Sequence, residues 1–169
     1  MKLNVRAIYS ILFLYACLML GSSLVIQYGF GLIPCPLCLI ARFIVIVLVM
    51  VFGMAYLQNP GKRGQTVYMI ATFSLALLGI LVTARHLWIM SLPAELVPSC
   101  TPGLDYLLEN LPIFEAILVI LNGSGECAQV DGVLLGLSLP AWTLFAFILL
   151  AFGCIFPAFT HRAKKKGSL

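Results

Sequence analysis

Charge is what this chain has least of. Only 9% of its 169 residues are Asp, Glu, Lys or Arg, whereas ordinary soluble domains carry about 25%. With 62% hydrophobic residues, that shortage excludes a soluble globular domain and predicts an integral membrane protein. Acids are scarcer than bases: Glu95, Asp105, Glu109, Glu115, Glu126 and Asp131 are all of them, and they share one segment late in the chain. There is no internal repeat, low-complexity tract or separate soluble domain.

Long uncharged runs fill the space the charges leave. The first, read from Ala7 to Tyr28, would extend roughly 33 Å as a helix at about 1.5 Å per residue, enough for one crossing of the hydrocarbon core. Further spans are expected over Leu39 to Leu57, Thr66 to Trp88 and Pro140 to Phe159. The breakers and cations of Gln58-Asn59-Pro60-Gly61-Lys62-Arg63-Gly64 mark a short turn between the second and third. The expected architecture is therefore all-α, a four-helix transmembrane bundle forming one integral membrane domain over residues 1–169. The N-terminal run is longer than a signal-peptide core of about 7–15 residues and has no clear small-x-small cleavage site, so a retained anchor is expected.

The bases orient the spans. Lys2 and Arg6, Lys62 and Arg63, and Arg162 with Lys164, Lys165 and Lys166 fall at the two ends and the middle turn, which an even number of crossings puts on one side. By the positive-inside rule that side is cytoplasmic. The loops over about 29–38 and 89–139 are then outside, and all six acids fall in the second of them. Within it, Ile113 to Leu121 is apolar but too short to cross, and is expected to lie as a short interfacial helix or to fold back on the bundle.

Four of the six cysteines, Cys35, Cys38, Cys100 and Cys127, fall in or beside these outer loops. Cys35-Pro36-Leu37-Cys38 has the spacing of a redox-active pair, and Cys38 at the start of a helix gains from the unpaired backbone N–H groups there. Arg42 follows one helical turn later on the same face, so its charge favours a Cys38 thiolate; the bland alternative is an arginine reaching to lipid headgroups. Arg85 and His86 close the third span at the depth of Cys38 and Arg42. They are candidates to hydrogen-bond a quinone headgroup, or else anchor the helix at the interface with Trp88. A metal site is not expected: structural zinc uses closely spaced ligand pairs, Cys100 and Cys127 stand far apart, and no histidine lies in the outer loops. Structural disulfides remain a competing use of the four outer cysteines. Cys17 and Cys154, within the first and fourth spans, read as inert packing thiols.

Taken in order, these features resemble the bacterial disulfide bond formation protein B family, DsbB. The likeness rests on Cys35-Pro36-Leu37-Cys38 with Arg42, Arg85-His86, Cys100, Gly125-Glu126-Cys127-Ala128, and Leu135-Gly136-Leu137-Ser138-Leu139-Pro140-Ala141-Trp142. Ala41 and Arg85 depart from it, standing where familiar members carry an acid. The resemblance implies an enzyme of the bacterial inner membrane that reoxidises a periplasmic thioredoxin-like oxidase, DsbA, and passes the electrons to ubiquinone, or to menaquinone when oxygen is scarce. It implies a Cys100–Cys127 disulfide attacked by the partner at Cys100, reoxidation of that pair by Cys35 and Cys38, and delivery of electrons from Cys38 to a quinone held near Arg42 and His86.

Three other readings stand beside it. A vitamin K epoxide reductase-like protein would carry its Cys-x-x-Cys late in the bundle, and here it opens the second span. A specialised paralogue would serve a dedicated oxidase. A four-span scaffold held by structural disulfides would need no charge beside the Cys-x-x-Cys.

Overall fold

The computed structural model of the chain describes residues 5–32, 34–93, 95–96, 112, 114–115, 118–119, 125–128 and 132–166. Long helices dominate: α1 (Val5–Phe30), α2 (Pro36–Gln58), α3 (Lys62–Met90) and α5 (Leu139–Lys166), with a single turn, α4 (Gly125–Ala128), before the last. α1, α2 and α3 are each long and apolar enough to cross a membrane, and α5 contributes a shorter apolar stretch, Leu139–Ile155. The chain is a helical membrane protein, as its composition predicts.

Local chemistry sets the helix ends. Cys35 is extended (φ −69°, ψ 163°) and caps α2, its sulfur accepting the Cys38 N–H at 3.4 Å; Pro36, which has no N–H to lose, takes the first helical position. At the other end Asn59 adopts the left-handed conformation (φ 41°) that stops helices, and its N–H donates to the Ala55 carbonyl at 3.2 Å. The turn into α3 is shorter than the sequence suggests. Gly61 already caps α3, so Lys62 and Arg63 lie in its first turn, and the Gln65 side-chain amide ties back to the Pro60 carbonyl at 2.8 Å.

The helices pack in a ring in which α2 sits between α1 and α3, and α3 packs closely on α5. α1 and α5 close the ring with the sparsest contact of the four seams. At the α3–α5 seam Gly79 lets the two helices approach: a Cβ there would lie 2.6 Å from Phe147 Cδ1 and Cζ, and Phe147 is fully buried. The interior is filled by Tyr9, Leu48, Phe52, Phe147 and Leu150, while Ile11, Leu14, Leu18 and Val25 face outward from α1. Outward apolar side chains are what lipid demands of a span.

Two short antiparallel strands precede α5. β1 (Val133–Leu134) pairs with β2 (Leu137–Ser138), and the two-residue turn Leu135-Gly136 has positive φ at both positions (55° and 81°), matching the twist of a tight hairpin. The hairpin is bound to the helix that follows: Trp142 Nε1 donates to the Leu134 carbonyl at 2.9 Å and Leu139 N to the Gly132 carbonyl at 3.1 Å. Of the apolar run expected to lie as an interfacial helix, Phe114, Glu115, Leu118 and Val119 are helical, with Phe114 exposed and Val119 packed against the core. The rest of that run lies outside the described residues.

Candidate functional site

The Cys35 and Cys38 sulfurs meet where α2 begins. Cys38 lies in the first turn, as its position after Pro36 predicts, and the Cys35 thiol donates to Cys38 Sγ at 3.1 Å. Both are thiols, with Cys35 buried and Cys38 half-buried. The capping geometry is what aims them at each other: the extended backbone at Cys35 turns its sulfur back over the open end of the helix, toward the residue three positions on.

His86 arrives from α3. Its ring is 2% exposed, with Nε2 donating to the Cys127 carbonyl at 3.1 Å. That hydrogen bond places the proton on Nε2 in the neutral ring and leaves Nδ1 as an acceptor, 3.9 Å from Cys38 Sγ. Nε2 also lies 3.7 Å from Cys35 Sγ. Cys127, on α4, is fully buried, and its sulfur, the Cys35 sulfur and a ring nitrogen of His86 all lie within 4.8 Å of one another. Three cysteines from two remote segments thus converge on one imidazole.

Beside this cluster a cavity of about 780 Å³ opens between α1, α2, α3, the hairpin and α5. Cys35, Cys38, Arg42 and His86 all line it. Its walls are otherwise largely apolar, from Met19, Ile26, Val45 and Val82 among others, with Trp142 and Thr143 on α5. Such a chamber, oily with a few convergent polar groups, suits an apolar ligand that carries a polar head. Along α5 the wall runs from Leu139 to Ala146, whose carbonyl accepts the Tyr15 hydroxyl at 3.2 Å and ties α1 to α5 there.

Arg42 is held from α1. Its Nε donates to Ser23 Oγ at 3.0 Å, Nη1 donates to Gln27 Oε1, and Nη2 donates to the Ser23 carbonyl at 3.4 Å. An arginine merely reaching for headgroups would not be fixed by three acceptors on a neighbouring helix. Ser23 and Gln27 were not singled out from the sequence. The signal was present all the same, because an amide inside an otherwise apolar span should face the bundle and seek a partner there.

Arg85 goes elsewhere. It does not line the cavity, and its guanidinium lies over the Trp88 ring at 4.2 Å from the centroid. Adjacent helical residues point about 100° apart, so with His86 turned inward Arg85 must turn aside. Cys100 lies outside the described residues. Cys154 is buried and Cys17 half-buried, both away from the cavity wall.

The chain is similar to known proteins over most of its length. The family described as "Disulfide bond formation protein DsbB" matches residues 5–156. A protein named Disulfide bond formation protein B from Chromohalobacter salexigens is 48% identical over 138 residues, covering 81% of this chain and 80% of its own. One of the same name from Nitrosococcus oceani is 43% identical over 150 residues, 89% of each chain. Disulfide bond formation protein B 1 of Pseudomonas aeruginosa is 36% identical over 143 residues, 85% of this chain and 88% of its own.

Proposed function

The chain belongs to the disulfide bond formation protein B family and is a disulfide-generating membrane oxidoreductase, and on that premise we propose that it reoxidises a periplasmic DsbA-type oxidase and passes the electrons to membrane quinone. It works in the bacterial inner membrane with both termini in the cytoplasm, which puts the Cys35 end of α2 and the hairpin on the periplasmic side.

In this reading the partner's thiolate attacks Cys100 of a Cys100–Cys127 disulfide. A mixed disulfide forms at Cys100 and Cys127 leaves as a thiolate. The partner's second thiolate then attacks its own mixed-disulfide sulfur, so the partner departs oxidised and Cys100 is freed. Cys127 attacks Cys35 of the Cys35–Cys38 disulfide, expelling Cys38 as a thiolate, and Cys100 closes the loop pair again by attack on Cys127, leaving Cys35 reduced. The net result is one disulfide made in the partner and two electrons left on Cys35 and Cys38. Ubiquinone, or menaquinone when oxygen is scarce, supplies the sink for those two electrons and two protons.

The observation that carries the reading is the meeting of Cys35, Cys127 and His86 within 4.8 Å. Exchange needs an attacking sulfur close to the sulfur attacked. We assign to Cys127 the handover to Cys35, which the proximity supports. His86 holds the Cys127 backbone through Nε2 while Nδ1 faces Cys38, so one ring both positions the incoming sulfur and offers an acceptor to the outgoing one. Arg42, braced on Ser23 and Gln27, supplies a fixed positive charge on the cavity wall for a quinone oxygen. The sparse α1–α5 seam offers the ring and its tail a way in from lipid.

The test is reduction of a soluble ubiquinone analogue by the purified protein, followed by absorbance, with a reduced DsbA-type oxidase as donor. Turnover that disappears in Cys38→Ser supports the proposal. No turnover from a folded wild-type protein overturns it.

A further inference from the structure

Spacing along the chain argues against a metal site, yet α3 brings to the outer cysteines the imidazole that their own loops lack. Sulfur from Cys35, sulfur from Cys127 and nitrogen from His86 are all buried and within 4.8 Å of one another, and Cys38 Sγ, outside that group, is 3.1 Å from Cys35 Sγ and would swing in to complete a site. In a tetrahedral site with metal–sulfur bonds of about 2.3 Å and metal–nitrogen bonds of about 2.0–2.1 Å, donor atoms stand roughly 3.5–3.8 Å apart. The Cys35–His86 separation of 3.7 Å already has that value. There is no carboxylate in the set, which selects a thiophilic ion over magnesium or calcium.

We propose that the fully reduced enzyme binds one thiophilic divalent ion, zinc or cadmium, through Cys35, Cys38, Cys127 and His86, and that the ion arrests it in the reduced state. Coordination changes no oxidation state: the three S–H protons pass to solvent as three metal–sulfur bonds form. With Nε2 as the ligand atom, its hydrogen bond to the Cys127 carbonyl is given up and Nδ1 keeps the ring's proton. Oxidation removes the site, since a disulfide at Cys35 or Cys127 takes ligands away. Metal and electron acceptor therefore compete for the same sulfurs. The proposal rests on the relay above only in requiring that these cysteines can all be reduced, and its test reads bound metal, not turnover.

The experiment uses the full-length protein in detergent, reduced, desalted without oxygen and titrated with cadmium ion alone. The expected result is a sulfur-to-cadmium charge-transfer band that saturates at one equivalent, is absent from the oxidised protein, and persists in Cys100→Ser and in Cys17→Ala/Cys154→Ala. His86→Ala should weaken binding at least about tenfold, and Cys127→Ser should abolish the saturable band. A band that survives Cys127→Ser, or that is lost in Cys100→Ser, overturns the assignment. X-ray absorption on the zinc-loaded wild type needs no variant: a shell of three sulfurs and one nitrogen supports the site, and any other donor count overturns it.

Discussion

Gln27→Leu tests whether the brace on Arg42 serves the acceptor. The substitution keeps an apolar body on α1 but removes the Oε1 that accepts from Nη1, leaving Arg42 its two bonds to Ser23. Hydrogen bonds to charged groups contribute about 1.5–3 kcal/mol, and at this half-buried site the lower end, about 1.5 kcal/mol, is the appropriate figure. If the loss falls wholly on how well the guanidinium meets a quinone oxygen, that is roughly a tenfold rise in apparent KM for quinone. The KM for the reduced DsbA-type oxidase should not move, because in the proposed relay that partner is met at Cys100. The assay is quinone-analogue reduction at saturating donor, repeated with Arg42→Ala and with the double variant. Once Arg42 is gone the Gln27 change should cost almost nothing more, since a brace has no effect without the group it holds. An unchanged KM in Gln27→Leu, or effects that simply add in the double variant, would refute the reasoning.

Cys100→Ala should abolish electron transfer from the partner while leaving quinone bound, read as quinone retained through purification; normal turnover would sink the relay. Gly79→Ala should cost about 1–3 kcal/mol by forcing a methyl into the buried Phe147 ring, and lower the thermal midpoint in detergent by several degrees. Phe147→Leu should recover part of that loss, and an unchanged midpoint in the single variant would count against the tight α3–α5 seam. Of the two tryptophans, Trp142 lines the cavity and Trp88 lies under Arg85. Quenching of fluorescence by a quinone analogue should therefore persist in Trp88→Phe and largely vanish in Trp142→Phe, and the reverse pattern would move the acceptor out of this chamber.

The helices were legible because uncharged runs of this length have few other uses, and the start of α2 because Cys35, Pro36 and Cys38 fit one capping pattern. The faces of the helices were not. In lipid the outward side of a span is as apolar as its inward side, so periodicity could not say whether Arg85 or His86 points into the bundle. Packing decides it: Val82, Thr83, His86 and Ile89 form the buried stripe of α3, and Arg85 falls on the other side with Trp88. Partners between helices were equally silent, since Ser23 and Gln27 meet Arg42 only once α1 lies against α2. The argument from spacing against a metal site had the same blind spot, because it counted neighbours along the chain and His86 reaches Cys35 and Cys127 from another helix. The scaffold reading gave way to family membership, together with a cysteine pair lying open to a largely apolar cavity with a few polar groups.

Cys35 has two employments, and the second pulls against the first. Its sulfur closes the open end of α2 by accepting the Cys38 N–H, and the same sulfur is the one Cys127 is placed to take. A bond to Cys127 leaves the lone pairs of Cys35 Sγ in place but pulls the sulfur toward α4 and off the Cys38 N–H, weakening the cap by up to about 1 kcal/mol and making fraying of the first turn up to roughly fivefold more frequent. Cys38 rides on that turn. The instant at which it must become mobile enough to reach a new acceptor is thus the instant at which the backbone beneath it loosens, so amide hydrogen exchange at the head of α2 would register the progress of the electrons.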